Sequence, residues 1–394
     1  MASNFEFYSP TRVIFGKGTE QRVGALVREY GGTRVLIVYG GKSAVRSGVL
    51  DRAEKSLAEA GISSWTLGGV VPNPHLDKVY EGIRIGKENS IDFLLAVGGG
   101  SVIDTAKAIA YGLAEPEKDV WELYEHTRTA RKCLPVASIL TIAAAGSETS
   151  NSSVITRVDT HQKRAYNDDI SRPKFAIMDP ELTYTLPRYQ VGCGVVDIMM
   201  HTLERYLTPE GGESDITDRI AEGLLIAVRD AGRRAIANPR DYEARASLMW
   251  AGNVSHNDYP GCGRKRLFPV HKLEHELSAF RDEIAHGAGL SVLFPAWALY
   301  EMKNDFPRFA QLANRVFGVE MDFHHPERTA REGILTMKRF FEEIGMPTHL
   351  AQLGIKPENY AQLAANTVRT VKGPVKSYSA LDEQAIIEIY KLAE

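Results

Sequence analysis

The chain has 394 residues, 44% hydrophobic and 25% charged, with a formal net charge of −3. That length accommodates two or three domains with more than one buried core, and the mild acidity argues against a nucleic-acid or anionic-membrane surface. No apolar run approaches the ~18 residues of a membrane span, and the opening residues lack the basic and apolar regions of a signal peptide. The three cysteines, Cys133, Cys193 and Cys262, have no metal-ligand spacing, so a soluble cytoplasmic enzyme without nucleic-acid or membrane partners is expected.

In chain order, the first strong element is the apolar, β-branched run Arg34–Tyr39, followed by Gly40-Gly41-Lys42-Ser43 and an amphipathic segment through Leu57. The pattern returns as Asp92–Val97, then Gly98-Gly99-Gly100-Ser101, then a helical run from Val102. Continuous apolar strands joined by helices predict a parallel sheet covered on both faces, with ligands at the carboxyl ends of its strands. Gly98–Ser101 matches neither the G-x-G-x-x-G fingerprint nor the P-loop. Two compatible readings remain: a loop that lets a diphosphate approach a helix N-terminus, or a tight turn whose Ser101 and Asp104 form a capping pair. If a dinucleotide binds, Lys42, Ser43 and Arg46 stand where an NAD site often places an acid, which suits a 2′-phosphate and NADP(H); the alternative is a solvated basic loop. Val71-Pro-Asn73-Pro74 is a rigid loop. The small polar stretch Thr141–Asn151 follows the apolar run Val136–Leu140 and is a candidate cleft lining.

Leu186-Pro187 marks the expected boundary between an α/β domain (1–187) and an all-helical domain (188–394). Asp197 and His201 are four apart on an otherwise apolar helical face, where a lone Asp is costly to bury. From Glu213 onward the sequence shows helical periodicity and no convincing strand, with a Gly-rich, basic connection over Asn253–Pro269. His271 and His275 share one helix face, and His286 precedes a Gly-Ala-Gly that opens another apolar helix. One carboxylate and three imidazoles make an open, catalytic-type site suited to Zn²⁺ or Fe²⁺. Two other readings stay open: the histidines lie on a solvated face, or His271-x-x-Glu274-His275 is an H-x-x-E-H metallopeptidase motif.

Several segments, in order, together resemble the metal-dependent (iron-type, group III) alcohol dehydrogenase family. They are Phe7–Gly16, Val71–Pro74, Val97–Lys107, Gly146-Ser-Glu148, Asp179-Pro180, Asp197-x-x-x-His201 with Glu204, His271-x-x-x-His275, and Ala285–Gly289. Tyr39–Ser43 and Phe294–Trp297 are most similar to its butanol dehydrogenase and NADPH-dependent aldehyde reductase branch. The resemblance implies a Rossmann-like dinucleotide-binding domain, an all-α domain and a metal in the cleft between them. It also implies metal ligation by Asp197, His201, His271 and His286, with His275 near the nicotinamide. Gly98–Ser101 match the pyrophosphate loop, and Asn73, Thr141, Asn151 and Lys163 match positions lining the cofactor; Gly40–Ser43 and Asp104 are counted with them. A homodimer formed through an N-terminal hairpin is expected.

Two departures stand out. Thr141 is followed by Ile-Ala-Ala-Ala-Gly in place of the usual hydroxyl-bearing segment, and Asn253–Pro269, with Tyr259, Cys262 and Phe268, is unfamiliar and expected to shape the substrate pocket. The implied reaction is reversible alcohol–aldehyde interconversion, the metal polarising the substrate oxygen and the nicotinamide exchanging a hydride, with His275 relaying a proton. The alternatives are a metal- and NAD-dependent lyase of the dehydroquinate synthase type and a non-enzymatic metal-binding role.

Overall fold

The computed structural model describes residues 4–209 and 214–394, so Glu213, from which the strand-free helical periodicity is expected to run, lies outside the described residues. The chain forms two compact units. One comprises Tyr8–Leu186 with Arg240–Asn253; the other comprises the N-terminal residues through Phe7, Pro187–Pro239 and Val254–Glu394.

The first unit is built on strands β1 (Arg12–Phe15), β2 (Arg34–Tyr39), β3 (Ser63–Leu67), β4 (Phe93–Gly98), β5 (Val136–Leu140), a hairpin of β6 (Ser152–Arg157) and β7 (Gln162–Asn167), and β8 (Phe175–Met178). Six of them form one parallel sheet in the order β1-β8-β5-β4-β2-β3. Every residue of β4 and β5 is buried, which is why those strands read as unbroken apolar runs. Alternate residues feed opposite layers, as the two-residue strand period requires. Val35, Ile37, Phe93 and Leu95 pack with helices α1 (Val23–Glu29) and α3 (Val49–Glu59), the latter following the short α2 (Lys42–Arg46). Leu36, Val38, Leu94 and Ala96 pack with α4 (Leu76–Glu88) and α5 (Gly100–Ala114). The chain runs from β2 out to β3 and returns on the other side of β2 to β4, so the topological switch point lies between the carboxyl ends of β2 and β4. Both glycine loops sit there.

The second unit is helical: α7 (Arg188–Tyr206, after the one-turn α6, Trp121–Tyr124, of the first unit), α8 (Asp215–Ala237), the end of α9 (Tyr242–His256), α10 (Pro269–Phe280), α11 (His286–Glu301) and α12 to α15 between Phe306 and Leu392. Helix α11 is buried without interruption from Gly287 to Ala298, and a helix apolar all round belongs at the centre of its unit. The expected absence of strands is corrected by a two-residue ribbon, Val375–Lys376 against Ala380–Leu381, too short for a strand period to register. No N-terminal hairpin forms among the described residues; β1 instead pairs in parallel with β8 at one edge of the sheet. Among the described residues no helix is long and apolar enough to cross a membrane.

One buried cation ties the carboxyl-end loops of the sheet together. Lys107 is fully buried on α5, and its Nζ donates to the carbonyls of Ser147 (2.7 Å), Ser150 (2.9 Å) and Ser152 (2.8 Å). Burial pulls its pKa down to about 8, yet three carbonyl acceptors and Asp104 keep the ammonium form at neutral pH. Replacing Lys107 by Met strands those carbonyls, so urea unfolding should show a loss of about 3 kcal/mol; a loss below about 1 kcal/mol would mean water replaces the ammonium without cost.

Candidate metal centre and cofactor loops

Helix α7 places Asp197, His201 and Glu204 at i, i+4 and i+7, one face, and all three are buried. Three imidazole nitrogens surround a single oxygen, Asp197 Oδ1: His201 Nδ1 at 3.5 Å, His271 Nε2 at 3.8 Å and His286 Nε2 at 3.8 Å. Asp197 Oδ1, His201 Nδ1 and His271 Nε2 are buried with no hydrogen-bond partner among the described residues. Such atoms normally find partners, and leaving several orphaned at one point is costly. Metal–ligand bonds of about 2.1 Å place tetrahedral ligand atoms about 3.4 Å apart, close to the spacing found here. The donor set is nitrogen and oxygen only, so the four residues fit one divalent cation of the Zn²⁺ or Fe²⁺ kind.

Two further carboxylates aim these imidazoles. Glu204 bonds His271 Nδ1 with one oxygen and accepts the Val270 N–H at 2.7 Å with the other. Glu274 bonds His286 Nδ1 and also accepts the Ser278 hydroxyl. Holding Nδ1 leaves Nε2 to face Asp197, the arrangement that orients and strengthens metal-ligating histidines. Burial, together with the neighbouring imidazoles, pushes His201 well below its usual value, so it is a neutral donor. Close helix packing makes this geometry reachable: a Cβ on Gly287 would lie 2.2 Å from the Cys193 carbonyl oxygen, and one on Gly289 would lie 2.7 Å from Glu274 Cγ. The Gly-Ala-Gly after His286 is therefore clearance for α7 and for Glu274.

His275 does not join the Asp197 group. It is half-buried, its ring 5.6 Å from that of His286. The H-x-x-E-H reading fails on this point, because Glu274 is fully buried and committed to His286 and Ser278. A second tier surrounds these rings: His256 lies 4.1 Å from His201, and Phe268, one of the residues expected to shape the pocket, faces His271 at 5.0 Å. Glu204 is marked in the sequence only by the family resemblance, after Asp197-x-x-x-His201; His256 carries no spacing signal that would mark it.

In the α/β unit, Gly40–Ser43 leave the end of β2 and Gly98–Ser101 the end of β4. The capping pair is absent: α5 begins at Gly100 with Gly99 as its N-cap, so Ser101 is already inside the helix. Asp104 instead accepts the Ser147 hydroxyl at 2.6 Å and the Val154 N–H at 3.0 Å, committing both oxygens to the fold. Gly99 is required by close approach, since its Cβ would stand 2.0 Å from Ile142 Cγ2. The apolar residues after Thr141 thus seat directly on the glycine loop, and the Thr141 N–H binds the Gly98 carbonyl at 3.0 Å. Asn73, in the left-handed region at φ 55°, accepts Lys163 Nζ at 2.9 Å, and Asn151 donates to Asp169 at 3.0 Å. Lys42, Ser43 and Arg46 are exposed.

Comparison with known proteins decides the family. A model of the iron-containing alcohol dehydrogenases matches residues 10–180, and a model of that family's C-terminal part matches 192–393. The chain belongs to the iron-containing alcohol dehydrogenase family. It is 39% identical to NADH-dependent butanol dehydrogenase A of Clostridium acetobutylicum over 98% of this chain and 99% of that one. It is 36% identical to the NADPH-dependent aldehyde reductase YqhD of Escherichia coli over 90% of each. The crystal structure of an NADH-dependent butanol dehydrogenase A from Thermotoga maritima superposes with a TM-score of 0.95, at 36% identity, over 100% of this chain and 99% of that one. The protein is thus a metal-dependent alcohol dehydrogenase or aldehyde reductase that uses a nicotinamide cofactor, and the lyase and non-enzymatic alternatives fall away.

Within this dehydrogenase the Glu204 contact can be tested in isolation. Glu204→Gln keeps the shape but removes the charge that orients His271, so divalent metal affinity should fall about 10–100-fold in equilibrium dialysis against a chelator. Unchanged affinity would mean that Glu204 serves packing alone.

Proposed function

We propose that Asp197, His201, His271 and His286 hold one divalent cation, Fe²⁺ or Zn²⁺, and that the enzyme interconverts a short aliphatic alcohol of the butanol type and its aldehyde, using NADP(H) in preference to NAD(H). The observation that carries the metal assignment is the group of buried, partnerless nitrogen and oxygen atoms around Asp197 Oδ1. When bound, the cation supplies Lewis acidity toward the substrate oxygen and the dinucleotide exchanges a hydride with the substrate carbon.

The chain's own residues bind, aim and exclude. Glu204 and Glu274 hold His271 and His286 with Nε2 inward, and Phe268 screens one side of the histidines from water. His275, beside His286 but outside the Asp197 group, is the residue assigned to moving the proton to or from the substrate oxygen. For the dinucleotide, Gly98–Ser101 and Gly40–Ser43 flank the switch point where α/β sheets bind such ligands, with the α5 N-terminus toward the pyrophosphate. Asn73, Thr141, Asn151 and Lys163 are assigned to the same dinucleotide, supported at Thr141 by its N–H bond to the Gly98 carbonyl. Asp104 contributes indirectly, through Ser147 and Val154. The NADP(H) preference rests on Lys42, Ser43 and Arg46, with no Asp or Glu between residues 40 and 50 to repel a 2′-phosphate; the relatives' names include both NADH and NADPH dependence. A homodimer is also proposed, since β1 leaves a sheet edge open and the exposed Phe5, Phe7 and Tyr8 precede it in the chain.

Oxidation of NADPH and NADH by butanal, on chelator-stripped protein and after addition of Fe²⁺ or Zn²⁺, tests this function. Turnover should return with metal, and Asp197→Ala should lower it by several kcal/mol of transition-state stabilisation, roughly a thousandfold. Absence of metal-dependent turnover across a panel of aldehydes and alcohols would overturn the assignment. Separately, Lys42→Glu should cut the NADPH-to-NADH ratio of kcat/KM by about tenfold, the worth of one charge-assisted contact; equal use of both cofactors by the wild type would remove the 2′-phosphate role of this loop.

A further inference from the structure

Arg205 is the least expected residue near the histidines. It follows Glu204 on α7, is 2% exposed, and donates to the His201 carbonyl at 2.7 Å and to Asp258 Oδ1 at 3.1 Å, with His256 Nδ1 at 3.4 Å. Arg266, which is partly exposed, reaches the same Asp258 Oδ1 at 3.0 Å. Two guanidinium groups therefore share one carboxylate oxygen. Both also bracket Phe268, at 4.8 Å and 6.0 Å from its ring centroid. That ring lies 5.0 Å from His271 and 6.2 Å from His256, whose own ring packs 4.1 Å from His201. The other nearby arginine, Arg264, is committed to Asp218.

The backbone of this segment is held under strain. Asp258 (φ 73°) and Phe268 (φ 51°) both sit in the left-handed region, unusual for any side chain and more so for a bulky aromatic one. Such conformations persist where surrounding contacts over-determine them, and they concentrate at ligand clamps. Arg205 is that contact: a Cβ on Gly261 would lie 2.8 Å from its Cδ, so the loop is wrapped directly on the buried guanidinium stem. Residues 256–268 thus set an apolar ring beside His271 and His256, with the guanidinium groups of Arg205 and Arg266 against that ring and joined through Asp258. A short neutral alcohol makes no use of that charge.

We infer that this face binds a carboxylate on the substrate, so that the preferred substrate is a short aldehyde or alcohol with a terminal carboxylate. Arg266 and His256 contact the carboxylate, Phe268 covers the carbon chain, and Arg205 anchors the segment beneath them. The inference rests on the dehydrogenase reading above and narrows its substrate class.

Succinic semialdehyde and butanal have four carbons each and differ in the carboxylate, so the ratio of their kcat/KM values isolates the effect. In metal-loaded enzyme at low ionic strength the ratio should favour the semialdehyde, decline as salt is added because the arginine is partly exposed, and drop about tenfold in Arg266→Glu, through KM more than kcat. Calorimetry with succinate on the metal-free full chain gives a second readout: binding to the wild type and none to Arg266→Glu. A wild-type ratio at or below one, a ratio unmoved by Arg266→Glu, or a stronger preference for glyceraldehyde 3-phosphate would each overturn the carboxylate assignment while leaving the dehydrogenase reading intact. Failure of both aldehydes to turn over would instead remove that reading and this inference with it.

Discussion

The helical unit depends on bringing three imidazole nitrogens to within 3.5–3.8 Å of Asp197 Oδ1 in a space where that oxygen and two of the nitrogens have no hydrogen bond among the described residues. Polar atoms stranded in this way cost of order 1–3 kcal/mol each, and the neighbouring structure is organised to impose the arrangement nonetheless. Glu204 and Glu274 occupy the Nδ1 atoms of His271 and His286, which denies those rings the option of turning away. Gly287 and Gly289 let α11 come close enough to deliver His286. A site that keeps partnerless polar atoms together and braces them from behind is configured for a ligand.

The α/β unit solves a different problem, the close passage of backbone loops at the carboxyl end of a parallel sheet. Gly99 has no room for a Cβ because Ile142 occupies that space, and Lys107 gathers three carbonyls of the 147–152 loop that no strand or helix satisfies. Asp104 faces the same loop and ties it to β6 through Val154. Asp104 and Lys107 on α5 therefore hold the segment from Ser147 to Val154 from within, while Lys42, Ser43 and Arg46 beyond β2 remain exposed.

Much of this was legible in the residues. Unbroken apolar runs announced β2, β4 and β5, because strands covered on both faces have no polar side to alternate with. The i, i+4 pairs Asp197/His201 and His271/His275 marked two helix faces. What periodicity could not supply was the meeting of those faces across seventy residues of chain; order and motif resemblance supplied it. The hairpin β6–β7 went unseen because Ser-Ser-Val-Ile-Thr-Arg and Gln-Lys-Arg-Ala-Tyr-Asn carry polar residues on both sides of the alternation. The Ser101–Asp104 cap does not form for a finer reason: the helix starts two residues earlier than a Ser101 cap needs, at Gly100, which leaves Asp104 to bind the neighbouring loop. Arg205 and His256 were invisible as a pair, since nothing in sequence links an arginine on α7 to a histidine 51 positions later.

The contrast between His271 and His275 shows how little a spacing rule decides alone. Four residues on a helix return to nearly the same face but advance about 6 Å along the axis, so the two rings address different neighbours. His271 meets Asp197, while His275 packs beside the ring of His286. The first residue of α11 stands between them, its ring 5.2 Å from one and 5.6 Å from the other, and its Nε2 faces Asp197. In an H-x-x-E-H metal site the intervening glutamate must face the metal-bound water; here Glu274 is turned into the core, because His286 Nδ1 and the Ser278 hydroxyl each take one of its oxygens and Gly289 gives it room. The identity of the third histidine, and the carboxylate that aims it, therefore separates a dehydrogenase from a peptidase on what is locally the same five-residue motif.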